Sequence, residues 1–300
     1  MTSRRSVIVT VLLLVVSSWF AAATQRLEPE EFLPEMNQPV EPVHIIGNIY
    51  YVGTNAVSSF LMVTPAGHIL LDSGFNQSVP LIRDSIGKLG FRFEDIRVLL
   101  STHAHFDHVA GHSLIQQQTG AQVIASRPDA AIIARGGDEL WEGWQGSRVD
   151  RIIRDNDAVR LGGVELRAHL TPGHTEGCTT WTMETTDAGR KYRVVFVGGY
   201  GINPGVRLVG NREYPRIADD YQRTFRVLKA LKPDVFLAQH PDVFGFEDKV
   251  RKVRAGAKQN PFIDPQGYRQ RVQEGEDAYR QQLQRERGGL LESPVHYANE

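Results

Sequence analysis

Four of the chain's ten histidines fall between positions 103 and 112, directly after the apolar run Ile96 to Ser101. The segment reads Ser101-Thr102-His103-Ala104-His105-Phe106-Asp107-His108. A buried strand that ends in a loop can turn several side chains toward one point. Alternation along extended backbone puts His103 and His105 on the same side, and Asp107 and His108 can diverge to a neighbouring position. Imidazole nitrogens and carboxylate oxygens suit zinc at about 2.0–2.2 Å, and three histidines with one aspartate are ligand types for two adjacent ions. The alternative is a solvated polar loop. Against it, histidines crowded this tightly repel one another when protonated and strand polar atoms when buried.

Two further histidines sit at strand-to-loop corners. Thr171-Pro172-Gly173-His174-Thr175 follows the strand-like Val164 to Leu170, and Ala238-Gln239-His240-Pro241 follows Asp234 to Ala238, with Pro241 biasing His240 toward extended backbone. Taken singly, each is an ordinary buried or surface histidine; beside the first cluster, each becomes a candidate ligand.

Composition narrows the chemistry. The 300 residues carry 34 Lys+Arg against 35 Asp+Glu, a net charge of −1, and no long basic block. This argues against a nucleic-acid binder held by phosphate neutralisation. The lone Cys178 rules out an internal disulfide and any structural zinc site needing two thiolates from the same chain. At the start, Arg4-Arg5 precedes the apolar run Val7 to Val16 and then Ala21-Ala22-Ala23, the layout of a secretory signal peptide over residues 1–23. The run is shorter than the roughly 20 residues of a spanning helix. Expected are export to the periplasm or beyond, no membrane anchor after cleavage, and one domain over residues 24–300. The pair Arg4-Arg5 partly fits a twin-arginine signal, so the export route stays open.

Further along, Ile45 to Val52, Ser58 to Val63 and His68 to Asp72 predict an antiparallel meander, and Val79 to Leu89 a short helix. Strands are expected at Ile96 to Ser101, Val164 to Leu170, Thr179 to Met183, Tyr192 to Val197 and Asp234 to Ala238. Helices are expected at Asp219 to Leu231, stopped by Pro233, and at Tyr268 to Leu283. This order fits a layered α/β structure of two sheets between outer helices.

These residues resemble the metallo-β-lactamase superfamily, and within it subclass B3. The likeness rests on His103-Ala104-His105-Phe106-Asp107-His108, on Pro172-Gly173-His174-Thr175 leading into Gly177-Cys178-Thr179-Thr180-Trp181, and on His240. It extends to Tyr50-Tyr51-Val52-Gly53-Thr54, Leu70-Leu71-Asp72 and Asn260-Pro261-Phe262. The resemblance implies an αββα sandwich, two mixed β-sheets flanked by helices, with two zinc ions at one edge. It implies that His103, His105 and His174 hold one ion and Asp107, His108 and His240 the other. It also implies hydrolysis of a β-lactam, a small-molecule substrate, with Asp107 both ligating and orienting the attacking water. Other hydrolases of the superfamily, such as glyoxalase II, use a bridging aspartate after a strand, and other lactamase subclasses place a zinc-binding cysteine there. Here that stretch reads Val195-Phe196-Val197-Gly198-Gly199-Tyr200, with neither. Many B3-like enzymes have serines in this region, and Tyr200 and Ile202 are expected in their places.

Other residues divide between roles. Asp72 resembles the family's acid that orients a ligand, the alternative being a turn cap. His112 and Cys178 are expected to be structural. Gly136 to Gly146, with Trp141 and Trp144, reads as a flap over substrate or a plain surface loop, and Asn203 as a contact on the opposite rim. A rival reading is a superfamily hydrolase of another ester, lactone or thioester; a third is an exported zinc-binding protein without catalysis. A monomer is expected.

Overall fold

A computed structural model describes residues 34–137 and 143–288. The expected signal peptide over residues 1–23 and Trp141 lie outside the described residues.

Seven strands form the first sheet in sequential order: β1 (Val43–Ile46), β2 (Ile49–Tyr51), β3 (Phe60–Thr64), β4 (Gly67–Leu71), β5 (Ile96–Leu100), β6 (Gln122–Ser126) and β7 (Val149–Ile153). Pairing is antiparallel from β1 to β4 and parallel from β4 to β7. Both faces of its centre are covered, so its strands read as near-continuous apolar runs. Period-2 alternation then sorts the side chains. Phe60, Met62, Ile69, Leu71, Val98, Leu100 and Ile124 face the interior of the sandwich. Leu61, Leu70, Leu99, Val123 and Ala125 face the outer helices.

The second sheet has the order β12-β11-β10-β9-β8, built from β8 (Ala158–Leu161), β9 (Val164–Leu170), β10 (Thr179–Asp187), β11 (Arg190–Val197) and β12 (Val235–Ala238), with only β11 and β12 parallel. Phe60 meets Phe196 edge-on across the sandwich, ring centroids 5.2 Å apart. The fully buried Trp181 donates its indole N–H to Ser101 O at 3.0 Å, tying β10 to the end of β5.

On the outer face of the first sheet lie α1 (Val79–Lys88), α2 (Phe106–Val109), α3 (His112–Thr119) and α4 (Arg127–Arg135). The second sheet is covered by α5 (Ile217–Ala230) and α7 (Pro265–Arg287), while α6 (Phe246–Arg254) adds Phe246 and Val250 to the central core. The apolar stripe of α5, Ile217, Tyr221, Phe225 and Leu228, is buried as its spacing requires. The architecture is the expected one: two mixed sheets flanked by helices.

One local expectation needed correction. The stretch Ile45 to Val52 is a hairpin, β1 and β2, because Gly47 takes φ +56° and turns the chain. Its β-carbon would lie within 3 Å of Thr185 and of the Thr186 carbonyl, so the turn requires glycine. Strands β6, β7 and β8 and helices α2, α3, α4 and α6 carried too little periodicity to be read. In β7 only Ile153 is buried.

Candidate metal centre

Each donor stands at the end of a strand. From the end of β5 the chain runs extended through His103 and His105, the latter at φ −81°, ψ 154°, and α2 then starts at Phe106. The onset of the helix swings Asp107 and His108 to the position beside His103. At the end of β9, Gly173 adopts φ +142°, with the Tyr221 ring 2.8 Å from where a β-carbon would be, and His174 follows at the turn. His240 lies two residues beyond β12, next to the Gln239 carbonyl that accepts the Ser58 N–H at 2.9 Å.

The six donors meet as two sets. His103, His105 and His174 form one; Asp107, His108 and His240 form the other; within each set the donor atoms lie within 4.8 Å of one another. The five imidazoles interlock, with centroids of adjacent rings 4.2–4.9 Å apart.

Hydrogen bonds on the far side of four rings aim the near nitrogens. His174 Nδ1 lies 2.8 Å from Gly201 O, His240 Nδ1 2.8 Å from Ala56 O, and His108 Nδ1 3.1 Å from Asp72 Oδ2. His103 Nδ1 lies 3.1 Å from Thr102 Oγ1, which itself donates to Asp72 Oδ2 at 2.8 Å. Outer partners of this kind fix the tautomer and orientation of metal-binding histidines. His105 is the exception, presenting Nδ1, 3.0 Å from His103 Nε2.

The donor set passes a test for zinc on its own geometry. A separation of 3.0 Å between two ring nitrogens is close to the roughly 3.3 Å edge of a tetrahedron with about 2.0–2.1 Å bonds. His108 Nε2 is fully buried with no hydrogen-bond partner among the described residues, facing Asp107 Oδ2 at 3.3 Å, and His240 Nε2 lies 3.7 Å from the same oxygen. A buried nitrogen without a hydrogen-bond partner, turned toward two other donors, fits a metal ligand. Burial, with the neighbouring histidines, holds His103 well below the ordinary histidine range, and burial with His174 beside it takes His105 down to about 3. Burial takes His174 down to about 4. All three present neutral rings, the form that binds metal. Burial pulls His108 the same way, but Asp107 and Asp72 on either side outweigh it and raise it to about 10. A divalent ion would replace that proton.

Asp72 takes the Thr102 N–H on Oδ1 at 2.7 Å and holds φ +60°, outside the range of most side chains. It thus touches both His108 and the segment just before His103, the placement an acid needs to orient a ligand there. His112 is fully buried with Nδ1 2.7 Å from Ser73 Oγ, apart from both donor sets, and Cys178 is a buried free thiol pushed up to about 12 by burial.

The end of β11 corrects one expectation. Tyr200 and Ile202 are partly buried and pack against the core: the Tyr200 ring meets Phe225 and fills the space above Gly275, and Ile202 lies against the same apolar cluster. Alternation leaves glycines facing the donors. A β-carbon on Gly199 would lie 2.3 Å from the His174 ring, and Gly201 offers only its carbonyl, to His174. Asn203 follows on the same loop, its side chain making no hydrogen bond among the described residues. Trp144, at the base of the Gly136 to Gly146 segment, packs into the helix-side core.

Sequence reasoning missed three supports. Tyr221, read as an apolar position, donates its hydroxyl to Gly201 O at 2.6 Å, the same carbonyl that holds His174. Thr224 donates to Pro172 O at 2.6 Å. Asp129 lies buried beneath both ligand turns.

Comparison with known proteins agrees with this geometry. The metallo-β-lactamase FEZ-1 of Legionella gormanii is 42% identical, with a TM-score of 0.81 over 84% of this chain and 98% of that one. BJP-1, a subclass B3 metallo-β-lactamase of Bradyrhizobium japonicum, is 37% identical, with a TM-score of 0.80 over 87% of this chain and 100% of that one. A hydroxyacylglutathione hydrolase of Methylobacterium sp. (strain 4-46) is 35% identical over 113 residues, 38% of this chain and 36% of that protein. The chain thus spans about a third of that relative's length. The pattern of the metallo-β-lactamase superfamily matches residues 52–240, which include all six donors. With its sheets, helices and strand-end donors arranged in this way, the chain belongs to the metallo-β-lactamase superfamily of metal-dependent hydrolases.

Proposed function

We propose that the protein is a zinc-dependent β-lactamase of the B3 kind, holding two zinc ions and opening the cyclic amide of penicillins, cephalosporins or carbapenems. The observation that carries this reading is the end of β11. Where a bridging carboxylate or a thiolate would enter the site, Gly199 lies against the His174 ring with no room for a side chain. The donors therefore stay three per ion and all His/Asp, which leaves positions for water and substrate.

His103, His105 and His174 would hold one zinc and Asp107, His108 and His240 the other, and bound zinc would supply a water acidic enough to attack at neutral pH and a Lewis acid for the carbonyl. Asp107 turns Oδ2 toward His108 and His240, which leaves Oδ1 to accept a hydrogen bond from the attacking water and orient it. The Gly201 carbonyl and Asp72 keep His174 and His108 aimed throughout. Ring opening adds one water across the C–N bond, oxygen to the carbonyl carbon and a proton to the nitrogen.

Residues 1–23 act as the export signal in this reading, and the enzyme works as a monomer in the periplasm or outside the cell, where it protects against β-lactam antibiotics. A thioesterase reading has the partial likeness to the hydroxyacylglutathione hydrolase in its favour. One panel separates them: the purified zinc-loaded protein, with and without a chelator, on a penicillin, a cephalosporin, a carbapenem, an acyl-homoserine lactone and a glutathione thioester. Chelator-sensitive β-lactam turnover is expected. Turnover of the thioester or lactone alone would replace the lactamase reading, and none at all would leave a zinc-binding protein.

A further inference from the structure

Helix α4 opens with Ser126-Arg127-Pro128-Asp129, the Ser-x-x-Asp spelling of a capping box. The helix has no side-chain cap bond. A cap contributes about 1 kcal/mol, so a helix that forgoes one has its capping side chains engaged elsewhere. Ser126 donates to Gly177 O at 2.8 Å. Asp129, 1% exposed, is the buried acid that Ala104 and Thr175 act on electrostatically, and among the described residues its Oδ1 has no hydrogen-bond partner.

Those residues belong to the turns that carry one donor set. Ala104 lies between His103 and His105, and Thr175 follows His174. The second turn rests directly on the α4 side chains: a β-carbon at Gly177 would fall 1.9 Å from Asp129 Oδ1 and 2.5 Å from Ser126 Oγ. The Thr175 hydroxyl in turn meets Cys178 Sγ at 3.4 Å, so the polar chain runs through the whole turn. One backbone bond, Thr179 N to Thr102 O at 2.8 Å, also joins the two segments.

We propose that Asp129 is a positioning residue: with Ser126 it sets the spacing between the His103–His105 turn and the His174 turn, as a buried polar strut packed beneath the three-histidine donor set. Its action is geometric. Burial, with Asp72 nearby and against the opposing pull of Ala104 and Thr175, pushes its pKa up to about 8. An amide of the same shape fills the same space against Gly177. The inference rests on the metal-site reading and is independent of which substrate is hydrolysed.

The test is zinc affinity, by competition with a chromophoric chelator, on the full chain carrying Asp129→Ala, Asp129→Asn or Ser126→Ala. Visible spectra of the cobalt(II)-loaded proteins accompany it. Asp129→Ala is expected to weaken binding of one ion by about tenfold or more and to alter the cobalt bands, whereas Asp129→Asn stays within about threefold of wild type. Unchanged affinity in Asp129→Ala, even with a lowered melting temperature, overturns the proposal. So does Asp129→Asn falling as far as Asp129→Ala, since the charge would then be what matters. If Asp129→Ala does not fold, Ser126→Ala decides: weaker binding of the same ion supports the strut and unchanged binding sinks it. A wild-type protein that binds no zinc would sink the metal-site reading itself, and no β-lactam turnover with these zinc results intact would sink only the lactamase reading.

Discussion

Asp72 Oδ2 lies 3.1 Å from His108 Nδ1, both side chains fully buried, while Asp72 Oδ1 takes the Thr102 N–H. One carboxylate therefore orients a metal donor and pins the backbone just before His103. It does so from a left-handed conformation, φ +60°, which asparagine tolerates and alanine resists. Asp72→Asn keeps an acceptor for Thr102 but puts an amide N–H₂ where His108 and the Thr102 hydroxyl now find an oxygen. Zinc affinity is expected to fall about 10- to 100-fold with the fold retained, measured by chelator competition and circular dichroism. Asp72→Ala adds backbone strain and loses stability as well.

Gly199 makes the complementary case, a position where any side chain is harmful. With a β-carbon 2.3 Å from the His174 ring, Gly199→Ala displaces a donor rather than straining its own backbone. Activity and occupancy of the three-histidine set are expected to drop at least about tenfold, with the melting temperature of the zinc-free protein little changed. Gly199→Asp tests more: a thioesterase-like bridging acid would require His174 to move first, so loss of zinc is expected here as well.

A third prediction concerns pH. His112 is buried with only Ser73 as partner, and burial takes it down to about 3 from an ordinary 6.5. Between those values the unfolded chain binds a proton at this site that the folded chain does not. Stability contributed by the neutral ring is therefore complete above about pH 6.5 and falls as pH drops toward 3, by about 1.4 kcal/mol per pH unit for one proton. In His112→Gln that component is absent. Urea midpoints of wild type and variant, measured with zinc removed, are expected to converge as pH falls from 7 to 4. Parallel curves would refute the assignment.

How much of this was legible in the sequence depends on how locally each feature is encoded. The donors were, because each follows a strand-like apolar run and its residue type leaves few other uses. The two-sheet order was too, since both faces of β5 and β11 are buried and the apolar runs show it. The side toward which Tyr200 and Ile202 point was not, because a one-residue offset after β11 inverts every side chain and nothing local sets the register. Gly47 split a strand for a tertiary reason, the close approach of Thr185. Asp129 was hidden by its own neighbourhood, since Ser126-Arg127-Pro128-Asp129 spells an ordinary helix start and only the fold brings Ala104 and Thr175 to it.

The last prediction concerns the loop that leaves the site. Beyond Gly201 and Asn203 the chain is held by the final turns of α7: Glu286 Oε2 accepts both the Leu208 and Val209 N–H groups at 2.8 Å, and Gln282 donates to Val206 O at 2.8 Å. A carboxylate taking two backbone N–H groups is a charge-assisted clamp, each bond contributing about 1.5–3 kcal/mol. Glu286→Ala releases that clamp without touching a metal donor. Zinc affinity and kcat are therefore expected to stay near wild type, while KM for the β-lactam rises severalfold and hydrogen exchange at Leu208 and Val209 accelerates. Glu286→Gln, which keeps an oxygen acceptor, is expected to fall between the two. A fall in zinc affinity, or no change in KM, would show that this loop does not form the substrate rim.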